Sequence, residues 1–363
     1  MLKVGIIGTG SIARVHLDSY LKQDRRCRVM ALYNRTRKNA GEFTAANKLN
    51  DVQICNDIDE FIKAGPDLVS ICTPPSVHAE QAVLCLENNM NVILEKPMAA
   101  SLEECDRILK AERKSSAQLS VVAQNRFMPG NWKLRKMLDS GLTGKLNYIG
   151  VNSSWWRGSA YYDIYWRGSW ESEGGGCTLN HAVHHIDLLL WYAGMPAKVK
   201  AFLSNTSHPN SEMEDLSAAV LSWDSGALGQ LHASLVHHGE EKNIIIQCEN
   251  VLIAEPWKTA VSRDKGDGFP VPYEQRAEEI ENYYRQLKGP VFEGMDGQID
   301  NVLTALENRG KMLVDGKSGR EAIELVSAIY SSHFLDRTEI MPLNADHPFY
   351  TKEGIMNNVR KFD

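Results

Sequence analysis

Residues 3–22, KVGIIGTGSIARVHLDSYLK, run a short apolar strand into closely spaced small residues and then into a helical pattern. No other feature of the 363-residue chain constrains the fold as much. A G-x-G-x-x-A pattern between a strand and a helix builds a seat for a pyrophosphate. Gly8 permits the tight turn, Gly10 lets backbone approach the anion, and Ser11 and Ile12 open the helix. Ala13 is small enough for close helix–strand packing, and the helix N-terminus offers N–H groups to phosphate. A glycine pattern alone is equally a plain tight turn. Its flanks favour a dinucleotide.

The second strand, CRVMALYN (27–34), should end on the residue that reads the adenosine ribose. An acid there bonds the 2′-hydroxyl and repels a 2′-phosphate. This chain has Asn34-Arg35-Thr36-Arg37 instead. A neutral amide and two guanidiniums suit a phosphate, which favours NADP over NAD. The alternative, Arg35 stacked on adenine with Arg37 a solvated charge, stays open. Helical AGEFTAANK and DIDEFIKAG follow, then PDLVSICTPP (66–75), SVHAEQAVLCLENN and MNVILEKP (90–97). Such strand–helix alternation predicts a doubly wound parallel sheet with ligands at its carboxyl edge. Thr73-Pro74-Pro75 and Glu95-Lys96-Pro97 both fall on that edge. Lys96 is either a surface charge paired with Glu95 or a cation that stabilises a developing alkoxide.

Composition narrows the function classes. The chain is 43% hydrophobic and 24% charged with a net charge of −6, and it has no basic run longer than pairs such as Arg25-Arg26. Nucleic acid and anionic membrane surfaces are therefore not expected partners. No segment approaches the roughly 18 apolar residues of a membrane span, and the N-terminus lacks a signal-peptide pattern. Seven scattered cysteines with no CxxC pair fit reduced thiols and a cytoplasmic location.

The second part of the chain has strand composition in LNYIGVNSSWW (146–156), KVKAFLSNT (198–206), LSAAVLSW (216–223), GALGQLHASLV (226–236) and NIIIQCENVLIAE (243–255). Turn candidates at Asp224-Ser225-Gly226 and Glu249-Asn250 predict a largely antiparallel sheet. Residues 274–335 return to helical patterns, and SNTSHPNSEMED (204–215) reads as a loop. The expected division is 1–123, 124–340 and a tail at 341–363.

GGGCTLNHAVHHID (174–187) carries the densest chemistry. Read as one helix over 179–194, it gathers Asn180, His184, Asp187 and Trp191 on one stripe opposite an apolar face. His181 and His185, also one turn apart, could hold zinc, but no glutamate of an HExxH pattern and no cysteine cluster supports them, so no metal is expected. Upstream, WWRGSAYYDIYWRGSWESEGGG (155–176) is dense in Trp, Tyr and Arg. It reads as part sugar lining and part packing cluster, with Trp166 and Arg167 the best candidates for substrate contact. The glycine run could let the loop adapt around a ligand.

Together these residues resemble the Gfo/Idh/MocA family. The resemblance covers nearly the whole chain and rests on GTGSIA, on SICTPPSVHAEQAVLCLENNMNVILEKPMAASLEE (70–104), on AQNRFMP (123–129) and on the GGG…H…D stretch. It implies an N-terminal Rossmann domain binding NAD(P), then an α/β domain with a large open, mostly antiparallel sheet. It makes Lys96 of the EKP block catalytic and places Glu95 beside the cofactor. Thr73, Pro74 and His78 match positions lining the nicotinamide half, Asn125 and Arg126 match the segment passing nicotinamide and substrate, and His184 matches the general base. The family's usual helix has an aspartate four residues before that histidine. Here Asn180 stands instead, which argues against copying inositol dehydrogenase's proton relay.

The expected activity is hydride transfer between a nicotinamide dinucleotide and a sugar, sugar derivative or cyclitol. The alternative is a relative that uses transient oxidation to cleave or eliminate glycosides with no net redox change. A sensor without activity is a third reading, disfavoured because Lys96 and His184 are both present. An exposed sheet face would make the protein a homo-oligomer, dimer or tetramer.

Overall fold

The structure, a computed structural model, describes residues 1–164 and 167–362. The chain forms two compact units, Met1–Gln124 with Phe292–Ile323, and Asn125–Val291 with Glu324–Asp363.

In the first unit the strands are β1 (Leu2–Ile7), β2 (Cys27–Tyr33), β3 (Gln53–Cys55), β4 (Leu68–Ile71), β5 (Asn91–Leu94) and β6 (Leu119–Val121). They form one sheet in the order β3-β2-β1-β4-β5-β6, with every pair parallel. Helices α1 (Ser11–Leu21), α2 (Arg37–Ala46), α3 (Ile58–Ala64), α4 (His78–Glu87) and α5 (Leu102–Lys114) connect them. All of β4 is buried, as expected for a parallel strand covered on both faces. The three-residue β3 is too short to announce itself by pattern.

A helix from far along the chain completes this unit. Helix α11 (Gly294–Asn308) places Ile299, Val302 and Leu303 in the core with Val4, Ile6, Leu32 and Ile93. Its Gln298 side chain donates to the Val121 carbonyl at 2.8 Å and accepts from the Ala123 amide at 2.9 Å, behaving as an extra backbone partner for the end of β6. Arg26 reaches Asp300 and Glu307 on the same helix. Residues 292–323 therefore pack with the dinucleotide-type unit and not within a continuous 124–340 domain. Periodicity marks a helix's apolar face without saying which sheet that face will meet.

The second unit contains α6 (Pro129–Asp139), α7 (Trp170–Glu173), α8 (Cys177–Asn180), α9 (Val183–Ala193) and α10 (Glu274–Gln286). Its sheet comprises β7 (Leu146–Ser154), β8 (Lys198–Ser204), β9 (Leu216–Ser222), β10 (Leu228–Ser234), β11 (Lys242–Cys248), β12 (Leu252–Glu255), β13 (Lys258–Ala260) and β16 (Glu339–Ile340). The order is β13-β12-β11-β7-β10-β9-β8-β16, antiparallel except where β7 meets β10. A separate hairpin joins β14 (Ser262–Asp264) to β15 (Pro270–Pro272). Both proposed turns, at 224–226 and 249–250, sit between paired antiparallel strands.

Helix α12 (Gly316–Phe334) begins in the first unit and ends in the second. The terminal segment is part of the second unit and not a separate tail. β16 pairs with β8, Leu343 and Phe349 are buried, and α13 (Lys352–Asn358) buries Ile355.

Candidate active site

The glycine loop opens the first unit's site. Gly8 has φ +87°, and a Cβ there would lie 2.7 Å from the Cys72 carbonyl at the end of β4. Only glycine fits both the angle and the contact. Gly10 is the N-cap of α1, no side chain caps that helix, and a Cβ on Gly10 would meet nothing within 4 Å. Open space over uncapped first-turn amides fits a pyrophosphate. Ser11 is exposed and Ile12 half-buried at the start of the helix. At the end of β2, Asn34 donates to the Thr9 hydroxyl and accepts from the Thr36 amide at 3.1 Å, so it shapes the turn. Arg35 and Arg37 are both exposed, and Arg37 is bonded to Asn56 and to the Ile54 carbonyl. Of the two guanidiniums, Arg35 carries the case for a 2′-phosphate.

The Glu95-Lys96-Pro97 turn is anchored from within. Glu95 is buried, its Oε1 lies 2.9 Å from His16 Nε2, and its Oε2 accepts the Lys96 amide at 3.1 Å. Burial alone would strip the His16 ring of its proton, but Cys72 and the Glu95 carboxylate outweigh burial and lift its pKa to about 10. Burial likewise opposes ionisation of Glu95, yet His16 and Lys96 hold it below the ordinary carboxylate range. Both partners thus point to a buried ion pair. Glu95, expected to face a cofactor, has both oxygens engaged by the protein itself.

His78 is also an anchor. Its Nδ1 lies 2.9 Å from the Pro97 carbonyl and its Nε2 2.8 Å from the Thr73 carbonyl. It ties the loop after β4 to the turn after β5 and is fully buried. Burial pulls its pKa below the ordinary value, against the two carbonyls that favour a charged ring. The Thr73 hydroxyl donates to Gln81 at 2.6 Å, Pro74 is exposed, and Lys96 is half-buried.

In the second unit, the expected single helix over 179–194 is interrupted. α8 ends at Asn180 and α9 begins at Val183, with His181 and Ala182 between them. Asn180 and His184 therefore do not lie one turn apart on a continuous helix. Both are half-buried, and the Asn180 amide donates to the Gly175 carbonyl.

The glycine run has a packing cause. A Cβ on Gly175 would collide with the Tyr330 hydroxyl, and one on Gly176 with the Glu214 carbonyl. The fully buried Glu214 carboxylate accepts the Gly176 and Thr178 amides at 3.1 and 3.0 Å and the Tyr330 hydroxyl at 3.0 Å. Burial raises its pKa against those donors. The polar 204–215 stretch is thus partly internal. Asp215 accepts from Thr206 and Ser207 amides, and the His208 ring spans Asp215 Oδ2 at 2.8 Å and the Arg157 carbonyl at 2.9 Å.

The anticipated polar stripe also divides. Asp187 and Arg126 form a bidentate pair at 2.8 and 2.7 Å with both side chains buried, and the guanidinium lies over the Trp191 ring at 5.4 Å. Arg126, anticipated at the substrate, is placed in this internal pair. Asn125 is half-buried, and its carbonyl accepts from Asn131 at 2.9 Å.

His185 is buried beside Ser153 Oγ at 2.9 Å, where burial and then Lys242 push its pKa down to about 4. His181 packs edge-on to Trp155 and beside Tyr161. Among the described residues no group of three His, Cys, Asp or Glu is placed to hold a metal ion.

Arg167 bonds Glu173 at 2.9 Å and the Tyr161 hydroxyl, with its guanidinium 4.0 Å from the Tyr161 ring centroid. Trp166 lies outside the described residues. Trp155, Tyr161 and Lys242, whose ammonium sits 3.5 Å from the Trp155 ring centroid, join this cluster. The aromatic run signalled the first two, while nothing local signalled Lys242, Glu173 or Glu214.

The first unit is a dinucleotide-binding Rossmann sheet, and the second an open, mostly antiparallel one. Residues 2–123 match the model of the oxidoreductase family with an NAD-binding Rossmann fold, and residues 132–253 match the Gfo/Idh/MocA C-terminal domain. The chain belongs to the Gfo/Idh/MocA oxidoreductase family.

An uncharacterized oxidoreductase of Synechocystis sp. is 31% identical over 56% of this chain and 54% of that one. The match spans less than two thirds of that relative's length. The D-glucoside 3-dehydrogenase of Escherichia coli (strain K12) is 26% identical over 91% of this chain and 95% of its own. The crystal structure of the WlbA dehydrogenase from Bordetella pertussis, in complex with NADH and UDP-GlcNAcA, superposes with a TM-score of 0.79 at 26% identity, covering 94% of this chain and 99% of that one.

Proposed function

We propose that the protein is a nicotinamide-dependent dehydrogenase or reductase acting on a CH–OH or C=O group of a sugar, sugar derivative or cyclitol. One observation carries the reading. The open anion seat after β1 and the anchored Lys96 turn after β5 leave the same carboxyl edge of one parallel sheet. The dehydrogenase relatives named above support the substrate class. When bound, the dinucleotide supplies the two-electron acceptor or donor. Gly8, Gly10, Ser11 and Ile12 would hold its pyrophosphate, and Thr73 and Pro74 would border the nicotinamide half. In the oxidative direction the role for His184 is general base toward a substrate hydroxyl, and that for the Lys96 ammonium is to stabilise developing negative charge on oxygen. Asn180 and Arg167 orient substrate hydroxyls. As a neutral amide, Asn180 does this without raising the basicity of the histidine.

The test is a polyol and sugar panel run with NAD and NADP in parallel, read by nicotinamide absorbance. At least one substrate should give net, steady-state reduction of the cofactor. Glycoside consumption with a flat nicotinamide signal would establish the non-redox alternative instead.

NADP is the proposed preference, because Arg35 is exposed at the ribose-reading position. Losing one charge-assisted contact costs about 1.5–3 kcal/mol, so Arg35→Ala should weaken NADP binding about tenfold or more. NAD binding should change far less. An equal loss for both cofactors would instead support stacking of Arg35 on adenine.

A homo-oligomer is proposed from the open sheet face, where Phe202, Val220, Leu228 and Ile245 are 66, 61, 53 and 39% exposed. Light scattering should show a dimer or tetramer, and Val220→Glu should dissociate it. A monomeric native protein removes the proposal. Among the described residues no helix is long and apolar enough to cross a membrane. The proposed cytoplasmic location rests on seven free, buried cysteines.

A further inference from the structure

Helix α1 buries Ala13, His16, Leu17 and Tyr20 on the face it turns to the sheet. A leucine would pack at position 16 without desolvating a polar ring. The chain instead places a fully buried imidazole there and supplies a partner for each nitrogen. Ser70 of β4 lies 3.0 Å from Nδ1, and Glu95 lies 2.9 Å from Nε2. The Tyr20 hydroxyl, one turn further along the helix, bonds the same Ser70 at 2.6 Å.

Glu95 is the hinge of the arrangement, since one oxygen meets His16 and the other accepts the Lys96 amide at 3.1 Å. A continuous chain of contacts therefore runs from Tyr20 through Ser70, His16 and Glu95 to the backbone of Lys96. It starts on the helix whose first turn forms the pyrophosphate seat. His16 lies five residues beyond Ser11, about 7.5 Å along the helix axis.

We propose that His16 is a positioning residue. By pairing with Glu95 it fixes the turn that presents Lys96, and it couples that turn to the helix that seats the dinucleotide. This rests on the role given above to Lys96. The physical cause is the stiffness of a fully satisfied buried polar chain, in which no member moves without leaving a partner unpaired. A small displacement of α1 on binding an anion is then felt at the Glu95 carboxylate, and so at Lys96. A histidine that merely fills the core would stabilise the unit as a whole and would not link cofactor occupancy to one turn.

The experiment is amide hydrogen exchange on the whole chain with and without NADH, comparing the wild type with His16→Phe, His16→Gln and Glu95→Gln. Phenylalanine keeps the volume and removes both contacts, whereas glutamine at 16 keeps a donor for Glu95. Glu95→Gln keeps an acceptor for the Lys96 amide and removes the charge. In the wild type, NADH should slow exchange across residues 94–99. In His16→Phe, protection there should fall at least about tenfold, the scale of one hydrogen bond to a charged group. NADH should still bind, with its nicotinamide fluorescence signal, but should no longer change exchange in that segment. His16→Gln should restore part of the response. Should His16→Phe not fold, Glu95→Gln carries the test, with the same selective loss of the NADH response expected.

Protection lost evenly across the first unit's sheet, or an undiminished NADH response at 94–99, would overturn the proposal. The readout needs no turnover, so it is separate from the assignment of Lys96. Full activity in a Lys96 variant would remove that assignment and leave the exchange result to decide the coupling.

Discussion

Lys96→Ala is expected to lower turnover by at least about a hundredfold, the scale of one lost electrostatic contact to a charge that develops in the transition state. The substitution keeps the backbone amide of residue 96 that Glu95 accepts. Folding and NADH binding should therefore survive, and the loss should fall on kcat more than on KM. Lys96→Arg should recover only part of the rate, since a planar guanidinium does not replace a compact ammonium. Initial rates on the substrate found in the panel, with NADH binding measured by fluorescence, make the test. Turnover within about threefold of the native enzyme would exclude Lys96 from the chemistry, since one such electrostatic contact is worth about a hundredfold.

The largest expected effect on stability lies at Asp187. Its pair with Arg126 is bidentate, with side chains only 7 and 6% exposed. Asp187→Ala leaves a buried guanidinium without its carboxylate, at a cost of about 3–5 kcal/mol. In a unit of this size that is a fall in melting temperature on the order of 10 °C. Burial raises the Asp187 carboxyl pKa, against the pull of Arg126. The intact pair is therefore less stabilising than its geometry suggests. Replacing both members, as in Arg126→Met with Asp187→Leu, should restore most of the loss. Thermal melting of the single and double variants tests this. A single variant that melts within about 2 °C of the native protein, under about 1 kcal/mol, would show the pair to be dispensable.

The candidate groups were legible where their signals are local. Gly8 and Gly10 declare themselves by a turn angle and an open approach, and Lys96 by closing an apolar strand before Pro97. Asn180 and His184 stand out as polar residues within an apolar helical pattern. The same reading placed Glu95 at the cofactor, Arg126 at the substrate, and Asn180 and His184 on one unbroken helix. In the structure Glu95 and Arg126 are held by internal partners, and the helix is interrupted at His181 and Ala182. Glu95 meets a histidine 79 residues away, Arg126 meets an aspartate 61 residues away, and the start of α8 is held by a carboxylate 38 residues from Gly176.

By itself the sequence determined the alternation of strands and helices, the parallel sheet, the anion seat and the chemical identity of the candidate groups. These follow from side-chain periodicity and backbone sterics, which act over a few residues. Only the tertiary structure decided that residues 292–323 complete the first sheet's core, that the chain after residue 340 packs into the second unit, and which polar groups turn inward as anchors. Burial decides those matters, because a charged or hydrogen-bonding group goes inside only where a distant segment brings it a partner.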